Sequence, residues 1–202
     1  MGLYDRYLAA RVRRHDGPQP EHVAIVITER DLLERGAYET LEDVLEWAFE
    51  YDADRVTVYV SVLDPAAAPT LMTELADIDA PRAVAVRGPD DTQPAAEPIR
   101  ISIGLGGKRE FTRAVRALAS EVEDGERDPD AIAAEDIEDR LVFPDEPDLL
   151  IKTGAERLSD FMIWQSVYAE LYFTDVNWRH FRKRDYLRAV FDYKERNRRF
   201  GR

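Results

Sequence analysis

Residues 22–62, HVAIVITERDLLERGAYETLEDVLEWAFEYDADRVTVYVSV, carry the reading that decides the fold. His22–Ile27 is an apolar run too short for an independent helix, so it reads as a buried strand. In residues 39–53, Leu41, Val44, Leu45, Ala48 and Phe49 recur at the spacing of one helix face. RVTVYVSV, residues 55–62, is a β-branched run that suits a second buried strand. The stretch is a strand–helix–strand unit. Strands that stay apolar without alternating belong to a parallel sheet covered on both faces.

The same alternation continues downstream. A short helix over 70–77, a strand over 83–87, a Pro/Asp-rich loop over 88–98 and a strand over 99–104 follow. After GGKRE (106–110), residues 111–125 read as a helix ending at Gly125, and 128–141 as a further acidic helix. PDLLIKTG (147–154) is a strand closing on a Gly turn, and 161–173 and 182–200 read as helical or mixed segments. Upstream, residues 3–14 have helical character and HDGPQPE (15–21) breaks it. The expected fold is therefore α/β, a single-domain open, mainly parallel sheet flanked by helices. Residues 1–20 form an N-terminal helix and linker, and 21–202 the core with its C-terminal helices. Ligands of such sheets bind beyond the carboxyl ends of the strands, which selects four turns: 28–30, 61–64, 104–110 and 152–159.

Composition narrows the chemistry. The 202 residues, 45% hydrophobic, are enough for one sizeable core. No apolar run reaches 18 residues, and the charged, aromatic start MGLYDRYLAARVRR is unlike a signal peptide, so a cytoplasmic protein is expected. The absence of cysteine removes disulfides and thiolate metal sites, and the three histidines, His15, His22 and His180, are scattered. A net charge of −13 opposes non-specific binding to nucleic acid, so no nucleic-acid partner is expected. Only four of the 28 basic residues are lysine, an acidic, arginine-rich balance found in high-salt cytoplasms and also favoured by GC-rich coding. Positive charge gathers locally in 179–188 and 194–202, either as a solvated helix face or as a site for diphosphate.

Residues 147–201, PDLLIKTGAERLSDFMIWQSVYAELYFTDVNWRHFRKRDYLRAVFDYKERNRRFG, resemble almost throughout the C-terminal region of the cis-prenyltransferase (undecaprenyl and polyprenyl diphosphate synthase) family. The family pattern there reads approximately DLLIRTxGExRxSxFLxWQxxYxExxF. HVAIVI resembles the family's first strand, RVTVYVSV its second, and GGKREFTRAVRALA its GGRxE-type helix start. The chain looks like a divergent, shortened member of haloarchaeal type. The resemblance implies an undecaprenyl diphosphate synthase-like fold and condensation of isopentenyl diphosphate onto an allylic diphosphate. Such chemistry needs cationic groups around two diphosphates, Mg²⁺ to neutralise the leaving group, and an apolar tunnel.

For the isopentenyl diphosphate, the positions that match the family's binding residues are Lys152, Arg157 and Ser159, with Arg199 and Gly201 matching the terminal R-x-G that reaches a neighbouring subunit. Lys152 keeps the charge but not the bidentate fork of the family's arginine. KTGAERLS is one residue short, so the family's Glu falls on Ala155 or Glu156. Glu170 matches the carboxylate that the family places near Mg²⁺. The allylic half departs. Where the family has a metal-anchoring Asp in an MDGN-R turn, this chain has Thr28 in ITERDLL, with Glu29 or Asp31 as candidate substitutes or simply as a helix's acidic first turn. No histidine follows, and residues 28–40 are too few for the family's phosphate-gripping turn and loop. SVLDPAA (61–67) keeps Ser61 but not the family's Asn and Trp, and Asp64 before Pro65 reads as a helix cap. APTLMTELADI (68–78) is too short to line a tunnel for a long prenyl tail.

Three functions are compatible with this pattern. The first is a non-catalytic or regulatory subunit that binds isopentenyl diphosphate and pairs, as a homodimer or as a heterodimer with a full-length cis-prenyltransferase. The second is an active Mg²⁺-dependent short-chain transferase, and the third a diphosphate-binding module without turnover. Mg²⁺ is the expected cofactor of an active chain or a heteromer, and otherwise none. Contact with membranes is expected only through a lipid product.

Overall fold

The computed structural model describes residues 2–154 and 162–196. In chain order the elements are α1 (Leu3–Arg14), β1 (His22–Thr28), α2 (Glu29–Leu32), α3 (Ala37–Glu50), β2 (Arg55–Ser61), α4 (Ala68–Ala76), β3 (Val84–Arg87), β4 (Ile99–Ile103), α5 (Gly107–Glu123), α6 (Ala134–Glu138), β5 (Leu149–Thr153), β6 (Glu170–Thr174) and α7 (Lys183–Glu195). The six strands form one sheet in the order β3-β4-β2-β1-β5-β6, every pair parallel. The strand–helix–strand unit is its centre: β1 pairs with β2 from His22 opposite Arg55 to Thr28 opposite Ser61.

Alternation along the strands separates the two faces. Val23, Ile25 and Ile27 of β1, Val56, Val58 and Val60 of β2, and Ile99, Ile101 and Ile103 of β4 enter the main core with α1, α3, α4 and α7. Leu8, Ala9 and Val12 of α1 belong to that core, so the N-terminal helix is a packed layer against α7. The opposite face is more polar. Ala24, Val26, Tyr59, Leu150 and Met162 form one small cluster there, and Ala85, Ala95, Leu105, Val142 and Phe143 another. At its amino edge His22 is enclosed, Nδ1 at 3.0 Å from the Glu146 carbonyl and Nε2 at 2.8 Å from the Thr57 hydroxyl.

Two segments differ from the sequence reading. Residues 128–141 are not one helix. Asp128 caps a 3-10 turn at Pro129–Ala131, Ile132 is extended, and only the five-residue α6 follows, with the Ala133 N–H donating to Asp136 at 2.9 Å. Arg127 and Arg140 then bind Glu121 and Asp136, tying this acidic stretch to α5 by charge instead of by an apolar stripe. The second difference is β6, which lies in a stretch read as helical or mixed. Its Leu171, Tyr172 and Phe173 continue the sheet along the free edge of β5, from Leu149 opposite Glu170 to Thr153 opposite Thr174.

Candidate functional site

The described residues of the four turns selected from sequence, 28–30, 61–64, 104–110 and 152–154, lie along the carboxyl edge of the sheet. At the end of β1, Thr28 and Asp31 close on one another: the Thr28 N–H and hydroxyl each donate to the Asp31 carboxylate at 2.7 Å, and the Asp31 N–H donates back to the hydroxyl at 3.3 Å. This is a reciprocal cap on a single helical turn. Glu29 reaches sideways, and one carboxylate oxygen accepts from the Leu63 N–H at 3.0 Å and the Asp64 N–H at 3.3 Å. It therefore staples the turn after β1 to the turn after β2. Asp64 accepts from the Ala66 N–H at 3.0 Å ahead of Pro65, the helix cap its sequence suggested.

On the other side of β1, Lys152 of β5 stands beside Val26 and is buried, 9% exposed. Among the described residues no carboxylate pairs with it. Thr153 is buried with its hydroxyl unpartnered among the described residues. Gly154 turns the chain at φ +79, which a side chain would resist, and its N–H donates to the Thr174 carbonyl at 3.0 Å. Arg157, Ser159, Arg199 and Gly201, and the alternative Glu156, lie outside the described residues.

Glu170 is not part of this edge. It opens β6 opposite Leu149, the amino end of the sheet, whereas Thr28 closes β1 five residues beyond the Val23 that pairs with Leu149. At ~3.3 Å per residue the two are roughly 16 Å apart along the strands. The Glu170 carboxylate accepts from the Arg196 guanidinium at 3.0 Å. Among the described residues no three His, Asp or Glu side chains converge on a point. With Glu29 and Asp31 engaged locally, the described residues of one chain do not fit a Mg²⁺ site.

Sequence reasoning missed two features of this edge. The first is a cavity of about 440 Å³ between α4 and the turns after β2, β3 and β4, walled by Val62, Ala68, Met72, Pro89 and Gly104, with Arg109 at its rim paired to Asp90. Its walls come from three strand ends that no single stretch of sequence contains. The second is Glu110, in the first turn of α5 and 3% exposed, whose carboxylate accepts from the Val142 N–H at 2.7 Å and the Phe143 N–H at 3.1 Å. Burial pushes this carboxyl above the usual range, although the two backbone donors, Gln165 and Arg113 oppose it.

The sequence model of the family described as putative undecaprenyl diphosphate synthase matches residues 86–201. A tritrans,polycis-undecaprenyl-diphosphate synthase (geranylgeranyl-diphosphate specific) of Methanopyrus kandleri is 35% identical over 247 aligned residues, covering 99% of this chain and 90% of that protein. A short-chain Z-isoprenyl diphosphate synthase of Mycobacterium bovis is 44% identical over 127 residues, 58% of this chain and 48% of that protein. An alignment of 247 positions against a chain of 202 means that the archaeal relative carries segments this chain lacks. The fold agrees with the crystal structure of lavandulyl diphosphate synthase from Lavandula x intermedia in complex with dimethylallyl diphosphate, at a TM-score of 0.73 and 24% identity over 91% of this chain and 99% of that one. With the six parallel strands, the 86–201 match and the full-length archaeal likeness together, this chain belongs to the undecaprenyl diphosphate synthase family of cis-prenyltransferases.

Proposed function

We propose that this chain is a non-catalytic or regulatory member of its family, which binds isopentenyl diphosphate and serves polyprenyl diphosphate synthesis as one subunit of a heteromeric prenyltransferase. The observation that carries the reading is the asymmetry of the carboxyl edge. On the β5 side a buried lysine without a carboxylate partner among the described residues offers its charge to a phosphate. On the β1 side one oxygen of Asp31 is held in a cap and one of Glu29 by backbone N–H groups, and among the described residues no third carboxylate or histidine joins them to make a metal–diphosphate site. Arg157 and Ser159 complete the phosphate side by their place in the motif, and Arg199 and Gly201 are the tail lent to a partner. Ile163, Val167 and Tyr168 ahead of the edge strand β6 and Phe173 on it are exposed, and such apolar side chains suit a subunit contact.

The test is turnover by mixing. Alone, the purified chain with isopentenyl diphosphate, farnesyl or geranylgeranyl diphosphate and Mg²⁺ yields no product. Mixed with a complete family member from the same cell, it co-purifies and changes that enzyme's rate or product length, and Arg199→Ala removes the effect. Binding without any association would make the chain a stand-alone diphosphate module.

The cavity between α4 and the β2–β4 turns favours a second reading, a short-chain transferase. Its volume lies in the range of small-ligand clefts, and α4, nine residues or roughly 14 Å long, closes it well short of a long prenyl tail. Product from the chain alone would establish that reading and remove the first.

A further inference from the structure

The exposed face at the start of α5 is positive in a chain that is strongly negative. Residues 107–117, its first three turns, carry Lys108, Arg109, Arg113 and Arg116 and a single acid, Glu110, whose buried carboxylate is turned inward to the Val142 and Phe143 N–H groups. The whole chain has 41 acidic residues against 28 basic ones. A solvated helix face in such a chain would mix the two signs at i, i+4. Here Arg109 and Arg113 stand four apart and Arg113 and Arg116 three apart, so like charges follow one another along a stripe. Lys108 and Arg109 also occupy the first turn, where the helix dipole opposes cations. These placements work against the folded helix, so helix stability does not account for them.

The four cations line a groove of about 620 Å³ together with Thr92 and Asp90. Asp90 is the one anion in that lining among the described residues, and Arg109 is paired with it. Lys108, Arg113 and Arg116 form no ion pair with a carboxylate among the described residues. Arg113 is half-buried and held in place: its two terminal nitrogens donate to the Asp91 carbonyl and, at 2.9 Å, to the Pro89 carbonyl. Neutral carbonyls fix the guanidinium without cancelling its charge, and a fork already fixed loses little freedom on taking a further acceptor. The buried Glu110 feels that charge but does not bridge to it.

The groove is set apart from the phosphate positions of the motif. Helix α5 follows β4, and in the sheet β2 stands between β4 and β1, with β5 one strand further on. At ~4.8 Å per strand, the end of β4 is roughly 10 Å from β1 and roughly 14 Å from β5, too far for one diphosphate to fill both places.

We propose that this groove is a further anion site, which takes a phosphate or diphosphate group, either free or as the head of an anionic lipid. Such a group carries more than one negative charge and offers several acceptor oxygens, which matches three cations without carboxylates beside a hydroxyl. The inference does not depend on the isopentenyl diphosphate reading above.

The experiment uses the full chain carrying Lys152→Met, which removes the charge at the β5 position, and inorganic diphosphate as the probe in titration calorimetry at fixed ionic strength. Arg113→Gln is expected to weaken binding about tenfold, the loss of a hydrogen bond to a charged group. Lys108→Gln together with Arg116→Gln, both exposed, is expected to keep the fold and weaken binding roughly two- to fivefold for each charge removed. Arg14→Gln, an exposed cation of α1, controls for net charge and should leave binding unchanged. Sedimentation with phosphatidic acid vesicles and with phosphatidylcholine vesicles separates the two sources. Sedimentation with the acidic vesicles alone, lost in Lys108→Gln/Arg116→Gln, assigns a lipid head, and diphosphate binding without sedimentation assigns a soluble ligand. Binding of neither probe, binding that the α5 variants leave unchanged, or an equal loss in Arg14→Gln overturns the site.

Discussion

Replacing Lys152 by Met separates a lysine kept for binding from one kept for structure. The side chain rises from β5 beside Val26, on the face where Ala24, Val26, Tyr59, Leu150 and Met162 form an apolar cluster, and it is 9% exposed without a carboxylate partner among the described residues. Methionine has similar length and joins that cluster. The desolvation penalty of a buried ion is several kcal/mol, reduced where a long stem lets the ammonium reach toward water, so the substitution should stabilise the chain by about 1–2 kcal/mol. For a chain of this size that raises the melting temperature by roughly 2–8 °C. Binding moves the opposite way. A charge-assisted hydrogen bond to phosphate contributes about 1.5–3 kcal/mol, so affinity for isopentenyl diphosphate should fall roughly 10- to 100-fold, and Lys152→Arg should restore it. Thermal unfolding and calorimetry on the same preparations read both quantities. A Lys152→Met chain that melts lower and binds as well as the wild type would refute the argument, because the lysine would then be structural.

Further outcomes follow from the same geometry. Burial, ahead of the nearby Arg55 and Arg100 charges, lowers the His22 pKa to about 4 from 6.5, against the opposing hydrogen bond to Glu146 and the Asp145 charge. The unfolded chain therefore binds the extra proton between these values, and stability present above pH 6.5 is lost as pH falls toward 4, by up to about 3 kcal/mol; urea unfolding at pH 7 and 4.5 should show a smaller difference in His22→Gln. Glu29→Ala frees the Leu63 and Asp64 N–H groups, which should speed their hydrogen exchange while costing only about 1 kcal/mol at this exposed position. An added Cβ at Gly154 would meet nothing within 4 Å among the described residues, so Gly154→Ala should cost about 1 kcal/mol from its φ of +79, read as a small drop in melting temperature without aggregation.

How far the sequence carried depended on whether the deciding contacts were local. HVAIVI and RVTVYVS announce themselves as strands because a strand buried on both faces is apolar in sequence too, and Leu41, Val44 and Leu45 fall on the buried side of α3 as their spacing required. Strand β6 was hidden because it is an edge strand, partly exposed along its length, and because Trp164 and Tyr168 ahead of it mimic helical spacing while forming turns. The acidic stretch 128–141 has helical composition, but no apolar stripe to hold a long helix. At the site, Lys152 and Thr28 were placed correctly at strand ends by the parallel-sheet rule. The separation of Glu170 from them was not visible, since it depends on β6 starting at the opposite edge. Glu110 and Gln165 both stand in quoted motifs, yet 55 residues apart, and nothing local says that one accepts from the other.

A phosphate-binding half without a metal-binding half can be tested by titrating the wild-type chain with isopentenyl diphosphate and with geranylgeranyl diphosphate, each in EDTA and in excess Mg²⁺. Isopentenyl diphosphate is expected to bind equally well in both conditions, and Mg²⁺ to do nothing for the allylic diphosphate. Tight binding of geranylgeranyl diphosphate that appears only with Mg²⁺ would contradict it.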